Sequence, residues 1–444
     1  MKVNVLKKQA RMIIRFLLMV ILCVSIKFVY GESSAAIDPG TWTQWRGAKR
    51  NSIVTGLPWP SKIDNNHLKQ MWRKEIGEGY PGPIVSTNLV FTVETLDKKQ
   101  EVVRAFDRFL GKQVWETSWG GSMRVPFFSA KNGSWVRSTP AFDGQNLYVA
   151  GMQDLLVCLN AEDGSIKWQV DFAKRFETPL PKFGFVCSPL VDKEGVYVQA
   201  GASFVKLNKH TGATLWRTLK DSGGMYGGAF SSPIKQKICG VEQLIVQTRG
   251  MLAGVDPANG TVLWKQKVKA FRGMNIQTPV VVGNTLFTSC YDGASILFDL
   301  KKEGDVFTIS EVWRDKKSQA YMSTPVVIDG NIYFHRRDQR FSCLNPETKT
   351  ILWKSPVYGQ YCSLIANGTR ILGLNQKGDL LLIDASPESF NLLDRRKISK
   401  QSTWGHIAVA GDQVFIRELK AIAVYRWSNA AEELPDPVSA DSVK

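Results

Sequence analysis

Histidine is scarce in this chain: His67, His210, His335 and His406 are the only four in 444 residues. No two stand close enough to form a short ligand pair, which excludes HExxH metalloprotease and zinc-finger patterns. No Gly-x-Ser-x-Gly word and no adjacent Cys-Cys pair occur. Long apolar runs are absent too. The longest near the start, Phe16 to Ile26, has 11 residues and ends at Lys27, short of the roughly 20 a bilayer span takes. Acidic side chains are outnumbered, 40 against 57 basic, for a formal charge of +17, and hydrophobic residues make up 44%. This composition is globular, neither disordered nor collagen-like.

Part of the basic excess sits at the start. Lys2, Lys7, Lys8, Arg11 and Arg15 precede the apolar run, and Val29-Tyr30-Gly31 offers cleavage positions. The pattern predicts a secretory signal over residues 1–31, with an uncleaved membrane anchor as the alternative. Val20-Ile21-Leu22 before Cys23 lacks the small residues of a bacterial lipoprotein signal. Removing 1–31 takes away six basic and no acidic side chains, so the charge falls from +17 to +11. The remaining cations are scattered. They predict a solvated positive surface open to acidic partners, without nucleic acid as the expected one. The mature chain is expected to be exported to the periplasm or cell envelope, monomeric and without a transmembrane span.

Tryptophan, by contrast, is abundant, with 14 residues. Trp72, Trp115, Trp168, Trp216, Trp264, Trp313 and Trp353 recur at intervals of 40 to 53 residues. Four end the same word: Asp107-x3-Gly111-x3-Trp115, Asn160-x3-Gly164-x3-Trp168, Asn208-x3-Gly212-x3-Trp216 and Asp256-x3-Gly260-x3-Trp264. A fifth copy, Asn345 to Trp353, has Lys349 in place of Gly. Copies around Asp299 and Asp384 are looser, and the second lacks its Trp. Upstream, small-Pro pairs open an apolar stretch at Thr139-Pro140, Ser188-Pro189, Ser232-Pro233, Thr278-Pro279 and Thr324-Pro325. Turn residues and β-branched runs such as Asn331-Ile-Tyr-Phe334 follow.

Short alternating runs between Gly, Asp and Asn are hairpin signals, so each period reads as a four-stranded antiparallel meander. Pro lacks an amide donor and suits an edge strand, which the innermost strand of a propeller blade is. Gly supplies a positive φ in the turn, and Trp packs between blades. The prediction is an all-β, eight-bladed propeller over residues 68–427, which is 45 residues per blade. The last copy lacks an outer strand. Residues 68–76, with Met71-Trp72-Arg73, are predicted to supply it and close the ring. An extended leader (32–67) and a disordered polar tail (428–444) flank the ring.

Six Cys follow the signal: Cys158, Cys187, Cys239, Cys290, Cys343 and Cys362. Export permits disulfides, but Cys158 and Cys343, like Cys187 and Cys362, hold equivalent places four blades apart, too distant to bond. Free, buried thiols are the expectation.

The [DN]-x3-G-x3-W word with its upstream [ST]-P strand resembles the pyrroloquinoline quinone-type β-propeller superfamily. The opening Trp42-Thr-Gln-Trp45-Arg46-Gly47-Ala-Lys-Arg50 resembles the leader of exported bacterial members. The likeness covers roughly residues 40–427 and implies one of two functions. One branch comprises quinoprotein dehydrogenases using the quinone and Ca²⁺. The other comprises cofactor-free scaffolds, typified by the propeller lipoprotein of the outer-membrane β-barrel assembly machinery. The dehydrogenases' adjacent-Cys disulfide is missing here, acids near the inner-strand starts are few, and no carboxylate base stands out.

The reading adopted is therefore a non-catalytic exported scaffold, with no cofactor expected, binding a protein or an anionic envelope ligand through its funnel and rim. A quinoprotein dehydrogenase using the quinone and Ca²⁺ is the alternative, and a carbohydrate-binding module a third. The loops entering the inner strands supply the funnel candidates: Trp135, Arg137, Phe185, Tyr226, Arg272, Asn275, Tyr321, Tyr361, Trp404 and His406. Aromatics with Arg either anchor a ligand or pack the funnel. Arg137, Arg272 and His406 would make a positive funnel suited to an anion or acidic peptide.

Overall fold

The computed structural model describes residues 40–121, 123–222 and 228–428. The signal, leader residues 32–39, Tyr226 and tail residues 429–444 lie outside the described residues. Each sequence period folds into one sheet. The sheets span 84–120, 141–171, 190–218, 234–267, 280–315, 326–357, 363–397 and 408–427, and are blades 1 to 8 of a propeller. Two strands come from the leader. β1 (Ile53–Val54) runs parallel to Ser363–Asn367, the inner strand of blade 7. β2 (Leu68–Glu75) pairs antiparallel with Ala421–Trp427 as the fourth strand of blade 8, with Trp72 opposite Val424. The expected closure is therefore present. Among the described residues helix is confined to short pieces, and none is long and apolar enough to cross a membrane.

The repeated word works as a latch between blades. Its Asp or Asn caps the turn: the Asp107 carboxylate accepts the amides of Phe109 and Leu110, at 2.9 and 2.7 Å. Gly111, Gly164, Gly212 and Gly260 follow at φ of +66° to +79°, and each sits under the indole of the preceding blade, where a Cβ would fall within 2.5–2.8 Å of the ring. That indole then donates to a carbonyl of the same turn. The bonds run Trp72 to Arg108, Trp115 to Ala161, Trp168 to Lys209 and Trp216 to Pro257, at 2.9 to 3.3 Å. Blade 5 lacks the turn, because its outer strands continue as one long hairpin, Ser295–Glu303 with Val306–Asp315. Trp264, facing it, instead donates to Gln243 of its own blade at 2.6 Å.

Blade 7 has Asp394 where the others have Trp, opposite Leu382. The leader supplies the missing indole. Trp59, buried, stacks on Trp427 at the turn end of blade 8, with centroids 5.9 Å apart. The Ile63 amide donates to Asp394 at 2.8 Å, and Arg396 donates to the Leu68 carbonyl at 2.6 Å. One continuous apolar cluster runs from Leu380 of blade 7 through Phe415 and Phe91 to Leu147 of blade 2. All six described Cys are free thiols. Five are buried and Cys239 is half-buried, a correction to the expectation that all are buried.

Candidate functional site

The [ST]-P position builds the wall of the central channel. Pro has no amide to offer, and the hydroxyl before it accepts an amide from the blade behind. Gly82 donates to Thr139, Thr139 to Ser188, Ser188 to Ser232, Ser232 to Thr278 and Thr278 to Thr324, at 2.9 to 3.3 Å. Five blade-to-blade bonds thus tie the inner edges together where no sheet ladder reaches. The channel encloses a cavity of about 470 Å³.

The leader closes one end of this cavity. Trp42 bridges Val85 of blade 1, and Gln44 exchanges two hydrogen bonds with Val191 of blade 3. Arg50 donates to the Ser188 and Pro189 carbonyls at 3.0 and 2.6 Å. Arg46 crosses to Pro325 of blade 6 and bonds Ser52 at 2.7 Å. Between them Trp45 faces the cavity, with the two guanidinium carbons 5.5 and 5.4 Å from its ring. Burial pushes Arg46 down to about 9 and Arg50 to about 10, so both stay protonated at neutral pH.

An aromatic belt forms the upper wall. Tyr80 stacks on Trp404 (4.7 Å), which meets Tyr361 (4.4 Å), then Tyr321 (5.2 Å) and Tyr291 (5.1 Å). The Tyr80–Trp404 and Tyr321–Tyr361 pairs are stacked, with planes 17° and 29° apart, and the two contacts beside them are tilted at 51° and 37°. Across the mouth, the 3-10 turn Phe127–Asn132 brings Phe128 against Phe183 (6.3 Å).

Among the predicted residues, Arg137, Tyr321, Tyr361, Trp404 and His406 line the cavity. Trp135 stands behind the wall, edge-on to Tyr80 at 5.6 Å. Phe185 and Asn275 do not reach the cavity. Phe185 is buried beside Phe172, and Asn275 donates to the Thr248 and Arg249 carbonyls at 3.0 and 3.2 Å. Their neighbours Val186, Met274 and Ile276 line it instead, because successive residues of an extended segment point opposite ways. Arg272 lies over Phe271 and Phe128, at 4.9 and 5.5 Å, outside the lining. Tyr226 lies outside the described residues.

The expected cationic trio is corrected. Burial, reinforced by the nearby Arg46 charge, pushes His406 down to about 3, so it is neutral at pH 7. The positive groups of the cavity are Arg137 and Lys131 on the wall and Arg46 and Arg50 beneath Trp45. Sequence reasoning missed Tyr80, which the same loop rule would have found before blade 1, and Trp45, whose role no local signal carries.

Among the described residues no Asp or Glu lines the cavity. Calcium takes six to eight oxygen ligands, several of them carboxylates, and the described residues hold no cluster of three His, Cys, Asp or Glu that could bind an ion. The hydroxyls of Thr139, Ser188, Ser232, Thr278, Thr324 and Ser363 already accept backbone amides. The donor set does not fit a quinone–calcium pair, and no carboxylate is placed to take an alcohol proton.

Three comparisons bear on kinship. Residues 98–355 match the family described as outer membrane protein assembly factor BamB. The assembly factor BamB of Yersinia pestis is 24% identical over 318 residues, covering 68% of this chain and 74% of that protein. That of Shewanella oneidensis is 24% identical over 336 residues, covering 70% and 76%. Among solved structures, BamB from Moraxella catarrhalis superposes with a TM-score of 0.59 at 14% identity, over 81% of this chain and all of that one. The quinohemoprotein alcohol dehydrogenase of Comamonas testosteroni gives 0.65 at 12% identity, over 91% and 83%. At such identity both structures speak to the fold alone. The sequence match spans more than half of the chain, and this protein belongs to the family of the outer membrane protein assembly factor BamB.

Proposed function

We propose that this protein is an exported, non-catalytic scaffold of the bacterial envelope, acting as a monomer that holds a protein partner on its funnel and rim loops. Its relatives are named for outer membrane protein assembly, and this chain is assigned a role of the same kind. The observation that carries the reading is the cavity wall itself. Its [ST]-P hydroxyls are spent on blade-to-blade bonds, the rest is largely aromatic, and among the described residues no carboxylate lines it to bind Ca²⁺ or accept a proton. A closed ring with aromatic loops at one mouth suits recognition better than turnover. The belt gives less support to a carbohydrate module, since a sugar stacks on ring faces and Tyr80, Trp404, Tyr321 and Tyr361 are stacked in pairs.

Adding pyrroloquinoline quinone and Ca²⁺ to the purified protein is expected to give no saturable absorbance change and no dye reduction with alcohols or sugars. Stoichiometric uptake with turnover would overturn the scaffold reading. Photo-crosslinkers at rim positions, read out in intact envelopes, are expected to trap a protein partner.

A further inference from the structure

We propose that the central cavity captures the carboxyl-terminal end of a partner polypeptide. Its terminal carboxylate would sit beside Arg137, and its last apolar side chains would lie against the mouth. The inference rests on the scaffold reading and adds which chemistry the cavity takes.

Four observations converge on it. The cavity is blind at one end, where Trp45 and the leader cross it, and the loops preceding the inner strands stand around the other. A blind cavity of about 470 Å³ takes a chain end of a few residues, whereas a threading polymer needs two openings. Its charge is of one sign. Lys131 and Arg137 line it, Arg46 and Arg50 flank the Trp45 floor, and among the described residues no Asp or Glu faces it. Arg46, Arg50 and Arg137 make no ion pair among the described residues. Arg46 and Arg50 spend donors on carbonyl and side-chain oxygens, whereas a buried guanidinium on the wall with neither an acid nor a full set of acceptors, as Arg137 is, favours the arrival of an anion.

Donors are left over as well. Arg137 uses Nη2 on the Gly133 carbonyl at 2.8 Å, while its buried Nε has no partner. The Ser323 hydroxyl, also on the cavity wall, is buried without a partner.

The fourth observation is the mouth, where Phe127 is 90% exposed and Phe271, Phe128 and Leu180 lie open around it. An exposed apolar rim around a positive, blind cavity matches a peptide end: apolar side chains outside, carboxylate within.

The test is calorimetric titration of the full chain with acetyl-Ala-Leu-Ala-Phe as the free acid and as the carboxamide. The acid is expected to bind saturably at one per chain, and the amide at least tenfold more weakly. Arg137→Gln is expected to weaken the acid at least tenfold with Tm unchanged. Lys131→Gln, on the rim and remote from the core, is expected to weaken it about threefold and to flatten its salt dependence. Equal binding of acid and amide, binding of neither, or phenylacetate binding as tightly as the peptide would each overturn the proposal. Partner crosslinking that persists under saturating peptide would overturn it while leaving the scaffold reading intact. Absence of any crosslinked partner would instead count against the scaffold.

Discussion

Gly164 shows at a single residue how the repeat holds. It needs a left-handed backbone, φ +75°, and a bare Cα beneath Trp115, whose ring would lie 2.5 Å from a Cβ. Gly164→Ala is expected to cost about 2–4 kcal/mol through backbone strain and a displaced indole, read as a lower urea midpoint with unchanged slope. Lys349 is the reverse case, a side chain held at φ +59° where four blades have Gly. Lys349→Gly is expected to raise stability by up to about 1 kcal/mol. Histidine sets a pH response. His335 is buried, its Nε2 has no partner, and burial holds it down at about 4. The unfolded chain takes up that proton below about 6.5 and the native chain only near 4, so stability falls as pH drops through this window, by up to about 1.4 kcal/mol per unit. His406 acts in the same sense, down to about 3. Asp154, raised to about 6 by burial, acts in the opposite sense. His335→Gln is expected to flatten the decline of urea midpoints between pH 6.5 and 4; an unaltered slope would contradict this assignment.

At the scale of elements, the leader does more than precede the ring. β2 gives blade 8 its fourth strand, Trp59 fills the seam that Asp394 leaves without an indole, and residues 42–50 floor the cavity. Trp59→Ala is expected to cost about 3–5 kcal/mol, as a buried Trp in a fixed seam should, measured by thermal unfolding. A further expectation separates closure from simple packing. Deleting residues 68–75 exposes the edge of Ala421–Trp427, and an unpaired edge invites pairing with another chain. The deletion is expected to shift the protein to aggregate in size-exclusion chromatography, whereas Trp59→Ala is expected to elute where the parent protein does.

For the molecule as a whole, eight blades, their four-stranded order and the closure by β2 could all be read before any coordinates. The reason is that the repeat's chemistry is local: an Asx turn, a positive-φ Gly and a Trp recur at fixed offsets, and the fixed offset reports the fixed strand length. The site was half readable. Arg137, Tyr321, Tyr361, Trp404 and His406 were found because every inner strand is entered from the same mouth. Phe185 and Asn275 were misplaced by one residue, since a loop's alternation depends on contacts that no period reveals. The neutral state of His406 and the unpaired charges of Arg46 and Arg50 depend on what surrounds them.

Sequence alone determined the blade count, the latch and the ring's closure, because each rests on residues a constant distance apart in the chain. Only the tertiary structure decided which loop side chains meet in the cavity and that the leader closes its far end. Those contacts join residues up to 354 positions apart, as Ser52 and His406 are. Burial and charge at such a meeting point belong to the assembled ring and to no segment of it.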